Sequence, residues 1–288
     1  GSMITFFTVP KAFQGLVGVI QRNAIANWLA LVPGAQVILF GDETGVAAAA
    51  TDLGVTHVSD LRRSPHGAPL LDGVMREAHR RAAHRTLALV NADILFGGDV
   101  GRVTAGVGEP FLVIGESRDV DIREPLPFDD LQWRQRIPPG GGSRGPLALD
   151  YFFFSRGLFG EVPPFALGRA RYDNWLVWRA LSRRAAIVDA TETLEAIHQR
   201  HDYGHLPGGR REAYRGLDAQ RNQALAGWWC YLHVHGVHDA TWTFTPAGLR
   251  RRHGRTGFLM QLRTRFAGLV AEARGRQGHG GQESADRP

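Results

Sequence analysis

Asn91-Ala92-Asp93 follows the apolar run Thr86–Val90, and so places an amide and a carboxylate where a buried strand meets solvent. A carboxylate there can hold a hard divalent cation such as Mg2+ or Mn2+, and that cation can neutralise a diphosphate. A strand-end acid can equally cap the next turn, so the pair gains meaning from its companions. His198, His201 and His205 fall within eight residues of one another. With no cysteine nearby and no His-Glu-x-x-His helix pattern, they do not form a hydrolytic zinc motif. The favoured reading has His201 or His205 completing the shell of a metal on Asp93. The structural alternative is histidines hydrogen-bonding a Gly-rich loop. A further trio, His233, His235 and His238, receives no role.

Two other acids could move protons. Asp173, in Arg171-Tyr172-Asp173-Asn174-Trp175, precedes a helical pattern. It can cap that helix, serve as general base toward a hydroxyl, or do both. Asp150, opening the Tyr151–Phe154 run, is the competing carboxylate. The aromatics of that run read as core. The lone cysteine, Cys230, lies in Trp228-Trp229-Cys230-Tyr231 and reads as a buried structural thiol.

These residues need a scaffold, and the first hundred residues alternate strands with helices. Strands are expected at Ile4–Val9, Gln36–Phe40, Thr56–Val58 and Thr86–Val90. Helices are expected at Leu16–Leu31, Val46–Leu53 and Pro69–His84. This alternation predicts an α/β fold with a mostly parallel sheet covered on both faces, whose crevice lies beyond the carboxyl ends of the strands. Thr8 to Lys11, Asp42 with Glu43, and Asn91 to Asp93 fall at those ends. Further on, strands are expected at Phe111–Ile122, Leu149–Phe154 and Ala186–Asp189, a helix at Asn174–Ser182, and a late edge strand at Asp239–Phe244. Pro125 to Pro146 and His198 to Gly209 read as loops, the latter followed by a helix to about Leu232. With no repeat and no clear linker, residues 3–272 read as one domain, and the polar stretch 273–288 as a disordered tail.

Composition sets outer bounds. The chain of 288 residues is 43% apolar and 22% charged, as a globular protein is. Gly1-Ser2 ahead of Met3 resembles a tag-cleavage scar, and neither a signal peptide nor a membrane span is evident, so a cytoplasmic enzyme is expected. The net charge of +6 is matched by six arginines at 250, 251, 252, 255, 263 and 265. So local a patch reads either as a solvated arginine face or as a surface for an anionic ligand, such as an acidic glycan or a lipid-linked acceptor at the inner face of the membrane, and not as a nucleic-acid-binding domain. Lys11 is the only lysine in the chain.

Taken in order, Phe7-Thr8-Val9-Pro10-Lys11, Gln21-Arg22-Asn23-Ala24-Ile25, Leu39-Phe40-Gly41-Asp42-Glu43, Gly67-Ala68-Pro69-Leu70, Asn91-Ala92-Asp93-Ile94 and Tyr172-Asp173-Asn174-Trp175 resemble the GT-A superfamily of nucleotide-diphospho-sugar transferases, near its family-2-like members. The resemblance spans about Thr5 to His205. It implies a glycosyltransferase with a UDP- or GDP-type sugar donor, a hydroxyl acceptor and Mn2+ or Mg2+. Residues 3–100 would form the nucleotide-binding half and 101–272 the acceptor-binding half. Thr8, Pro10, Lys11, Arg22, Asp42 and Asn91 would then line the nucleotide, and Asp93 would bind the metal. Asp173 or Asp150 would be catalytic, and Trp133, Tyr172 and Asn174 would meet the acceptor. One departure stands out: Asn91 replaces the first acid of the superfamily's Asp-x-Asp motif, and an amide binds a cation less strongly than a carboxylate does. That keeps a non-catalytic nucleotide-sugar scaffold as an alternative. A sugar-phosphate nucleotidyltransferase or a nicotinamide dehydrogenase would want a Gly-rich loop after the first strand, and Thr8-Val9-Pro10-Lys11-Ala12-Phe13 is not one.

Overall fold

The computed structural model describes residues 3–130, 132–201 and 209–252. His205, the arginines beyond residue 252 and the 273–288 stretch lie outside the described residues. The chain begins with β1 (Ile4–Thr8), α1 (Gly15–Leu31), β2 (Gln36–Phe40), α2 (Val46–Leu53), β3 (Thr56–Val58), α3 (Leu71–Arg81) and β4 (Thr86–Val90). It continues through β5 (Ile94–Gly97), α4 (Val100–Ala105), β6 (Phe111–Ile114), β7 (Ser117–Val120) and β8 (Tyr151–Ser155). The rest comprises α5 (Tyr172–Ser182), β9 (Ala186–Asp189), β10 (Glu195–Gln199), α6 (Gly209–Arg215), α7 (Leu217–Leu232), β11 (Trp242–Thr245) and β12 (Gly248–Arg251).

Nine strands form one sheet in the order β12-β11-β9-β6-β8-β4-β1-β2-β3. Its pairs are parallel except where β8 lies between β4 and β6 and where β12 lines β11. Side chains alternate across the strands and split the core in two. Phe7, Phe40, Phe152 and Phe154 pack with α3, α5 and α7. Phe6, Leu39 and Phe153 pack on the other face with α1, α2 and α4. There the Trp28 ring stacks on Phe6, centroids 5.4 Å apart. Cys230 is buried in the first core, and burial pushes its thiol pKa up to about 12, as suits a packing residue. No helix among the described residues is long and apolar enough to cross a membrane.

A second sheet, β5-β10-β7, was not foreseen from sequence. The expected strand Phe111–Ile122 is in fact two strands, one in each sheet. The break falls at Gly115, where a Cβ would collide with the Tyr151 hydroxyl, so the backbone can pass from one sheet to the other only without a side chain. His198 and Gln199, expected in a loop, end strand β10 instead. Helix α3 starts at Leu71, because Pro69 and Leu70 are held in extended bridges to Arg63 and Ala166. The late strand begins at Trp242 and is covered by β12, so it is not an edge.

Candidate functional site

The small sheet positions the polar residues by register. After β4 the chain turns through Asn91-Ala92-Asp93 and enters β5, which pairs antiparallel with β10 so that Ile94 lies opposite His198. β10 pairs in turn with β7, parallel, with His198 opposite Asp119. Helix α1 seals the free edge of β5 with side chains. Asn27 Nδ2 donates to the Phe96 carbonyl at 3.1 Å, the Phe96 amide donates to Asn27 Oδ1 at 2.7 Å, and Trp28 Nε1 donates to the Ile94 carbonyl at 2.9 Å. Gln199 pins the turn itself. Its amide and its Nε2 both donate to the Asp93 carbonyl, at 3.0 and 3.2 Å, while Asn23 Nδ2 donates to its Oε1 at 3.1 Å.

At the mouth of this arrangement, His201 Nε2 lies 2.8 Å from Asp93 Oδ2 and His198 Nε2 lies 3.6 Å from the same oxygen. Asp93 Oδ1 is buried and has no hydrogen-bond partner. An unsatisfied buried acceptor costs about 1–3 kcal/mol, and more when charged. One carboxylate and two imidazoles, with donor atoms all within 4.8 Å of one another, fit a divalent cation, which would satisfy the stranded oxygen. Burial acts to raise the Asp93 pKa, but the hydrogen bonds and charges of His198 and His201 hold it well below the usual range. For His198, burial opposes the charged form, yet the Asp93 carboxylate outweighs it and lifts the pKa above the ordinary value.

The next layer fixes these ligands. His198 Nδ1 lies 2.7 Å from Asp119 Oδ1, and Arg144 Nη1 lies 3.1 Å from the same oxygen. Arg144 Nη1 also approaches His198 Nδ1, at 2.6 Å. One ring nitrogen cannot donate to Asp119 and accept from Arg144 at once. The tautomer with Nδ1–H on Asp119 turns the Nε2 lone pair toward Asp93, as a carboxylate behind an imidazole does in metal-ligating histidines. Asp150 lies behind. Its carboxylate accepts from Asn91 Nδ2 at 3.1 Å and Ser117 Oγ at 2.5 Å, and pairs with Arg144 Nε at 3.3 Å. Both Asp150 oxygens are engaged, so the group ties β4, β7 and the loop before β8 together.

Asp173 sits in the first turn of α5, entered through Arg171 in the left-handed region at φ 89°. Because α5 leads back to the start of β9, its N-terminus lies at the same end of the sheet as Asp93. Burial, helped by the charge of Asp150, raises the Asp173 pKa to about 6. Tyr172 beside it is buried, and its hydroxyl pKa is pushed up by that burial and by the charges of Asp173, Asp150 and Asp93.

The other expected residues divide. Thr8 and Pro10 are buried at the end of β1, and the Lys11 backbone is latched to α1 through Gln21, whose Oε1 accepts from the Lys11 amide at 2.7 Å. Asp42 is exposed at the end of β2 and pairs with Arg63 at 2.7 Å, a hydrogen bond that holds its pKa below the usual range. Arg22 pairs with Asp52 of α2 at 3.0 Å and lies over the Phe13 ring, outside the Asp93 group. Trp133 is buried against Phe128, centroids 4.9 Å apart, rather than presenting an open face. Asn174 Nδ2 donates to the His235 carbonyl at 2.8 Å. Sequence reasoning missed the parts of His198, Asp119, Ser117 and Arg144. Ser117-Arg118-Asp119-Val120 puts three polar residues in a row, so no local alternation signalled them.

No protein-family model matches the sequence, and no curated protein matches it either. Among solved structures, a mannosyltransferase of Pyrobaculum calidifontis, PcManGT, in complex with GDP-Man and Mn2+, is similar over 94% of this chain and 75% of its own, at 12% identity and a TM-score of 0.50. This is a GT-A-type fold. A looser likeness, with a TM-score of 0.41 and 15% identity, links 69% of the chain to 72% of glucosyl-3-phosphoglycerate synthase of Mycobacterium tuberculosis, solved with Mg2+ and UDP. Within the GT-A-type fold of this chain, the Asp93 group lies at the carboxyl end of β4, where open α/β sheets place their ligands.

Proposed function

We propose that the protein is a glycosyltransferase that moves a sugar from a nucleoside diphosphate sugar to a hydroxyl acceptor, with a divalent cation at Asp93, His198 and His201. The observation that carries this reading is the Asp93 carboxylate, whose Oδ2 meets two imidazoles while its Oδ1 is buried without a partner, at the crevice end of a GT-A-type sheet. That PcManGT, of similar fold, was solved with GDP-Man and Mn2+ supports a donor of this kind. Two nitrogen ligands beside one carboxylate favour Mn2+ over Mg2+, which prefers oxygen shells. When bound, the cation would neutralise charge on the departing diphosphate.

The chain's own residues do the rest. Asp119 holds His198 in the tautomer that faces Asp93. Thr8, Pro10, Lys11, Asn91 and the Asp42–Arg63 pair edge the crevice on the nucleotide side. Asp173, ionised at neutral pH, accepts the proton of the acceptor hydroxyl, with Tyr172 as the wall beside it. Asp150, with both oxygens taken, is a positioning residue, and a base in place of a nucleophile implies inversion at the sugar carbon. Of the three residues expected at the acceptor, Tyr172 keeps that place; Trp133 and Asn174 are committed to packing and to the His235 carbonyl. On this reading the centre draws Asp93 from the first hundred residues and His198, His201 and Asp119 from the remainder, so that the proposed nucleotide and acceptor halves would meet at the metal.

The test is a thermal-shift screen of UDP and GDP with and without Mn2+, followed by mass-spectrometric screening of nucleotide sugars. A stabilisation that needs both nucleotide and metal is expected. Absence of any response would overturn the nucleotide-sugar reading.

A further inference from the structure

The segment after α7 reads His233-Val234-His235-Gly236-Val237-His238-Asp239, and the proposed reaction uses none of it. Three imidazoles converge there on one buried carboxylate. Asp239 has 8% of its side chain exposed, and His233 Nε2 lies 3.0 Å from its Oδ1. Oδ2 accepts the Gly236 amide at 3.0 Å and lies 3.2 Å from His235 Nδ1. His238 Nε2 stands 3.4 Å from the same oxygen. Gly236 and His235 already engage Oδ2, so the carboxylate offers little more to His238. The His233 and His238 rings stand perpendicular, centroids 5.4 Å apart.

The backbone of this cluster is set before any ion arrives. The Val237 amide donates to the Pro146 carbonyl at 2.9 Å, and Asn174 of α5 donates to the His235 carbonyl. His233 and His238 are open to solvent, with 30% and 41% of their side chains exposed, while His235 is buried beneath them. An ion therefore has both a path in and a rigid floor.

We propose that His233, His238 and Asp239 form a second metal site, distinct from the Asp93 group, for a transition ion of the zinc class. Their donor atoms lie within 4.8 Å of one another. Two imidazole nitrogens and a carboxylate oxygen make a three-ligand set with a position left for water, a pattern that suits Zn2+ better than Mg2+ or Ca2+. His235 is the positioning residue: its Nδ1–H on Oδ2 orients the carboxylate, as outer-shell partners of metal ligands do. Through Asn174 the site is joined to the turn of α5 that carries Asp173, so an occupied site would brace that turn.

The test uses the full chain, free of any affinity tag, stripped with chelator and titrated with Co2+. Visible absorption and metal analysis of the dialysed protein are the readouts. In an Asp93→Ala background, one bound Co2+ per chain with the intense bands of a low-coordinate nitrogen site is expected. Adding His238→Ala should weaken that binding by at least ~10-fold. Circular dichroism confirms the fold, which the exposure of His238 should spare. Should Asp93→Ala prove unstable, His238→Ala alone should lower the Co2+ content of the otherwise native chain by one equivalent. Absence of Co2+ from the folded Asp93→Ala protein, or retention unaffected by His238→Ala in either background, would overturn the site.

Discussion

His198 stands opposite Asp119 in the register of the small sheet, with its Nδ1 2.7 Å from the Asp119 carboxylate. The pairing of two strands thus chooses which nitrogen of one imidazole faces the crevice. Replacing Asp119 by alanine should free that ring while leaving the ligands in place. Mn2+ affinity, followed by isothermal titration, is expected to fall ~10–100-fold. Unchanged affinity would show that the register does not govern the metal.

Asp93→Ala removes the proposed metal ligand and a buried oxygen that has no partner. The Mn2+-dependent part of nucleoside diphosphate stabilisation should vanish in a thermal-shift assay. The unliganded melting temperature should fall modestly, because the contacts to His198 and His201, which outweigh the burial of the carboxylate, are lost. A persistent metal-dependent shift would move the cation elsewhere.

Asp173 gives a pH dependence with a definite sign. Its folded pKa of about 6 lies above the value of about 3.9 expected when unfolded. Between these values the folded chain binds more protons, so this group's contribution to stability is present below the lower value and is lost as pH rises through the higher. Urea midpoints measured across that window should fall with rising pH more in the native chain than in Asp173→Asn. Transfer should rise with pH through the same point, because the base must be ionised. Asp173→Asn should keep donor binding and lose transfer by ~10²–10⁴-fold. Full activity in that variant would remove Asp173 from the chemistry.

Asn27→Ala would strand the amide and carbonyl of Phe96, both served by one side chain. Two unsatisfied buried groups predict a loss of about 2–6 kcal/mol in urea unfolding. A loss well below that would mean that water or a shifted strand replaces the amide.

Much of the scaffold was legible. β2, α2, β3, β4 and β9 lie where periodicity and turn residues put them, because each is a short apolar run bounded by Gly, Pro or polar residues. The small sheet was not legible. β5 is four apolar residues directly after the Asp93 turn, and β10 carries buried polar residues, His198 and Gln199, that give a strand no alternating signature. The site divided along the same line. Asp93 could be read because it ends a strong strand. Asp119 and Arg144 become partners of His198 only through long-range pairing that no local pattern records. Gln21, Asn23 and Asn27 look like an ordinary polar helix face, and only the fold shows them bonded to loops and to an edge strand.

The Asn27 amide, bonded to both polar groups of Phe96, stands where the backbone of a neighbouring strand would stand. The edge of β5 is thereby closed to templating. An extended peptide or a second chain cannot add to the small sheet at β5 without first displacing helix α1. The protein thus guards against strand-to-strand aggregation at its chemical centre, and a lesion at position 27 would expose a sticky edge there before it disturbed any ligand.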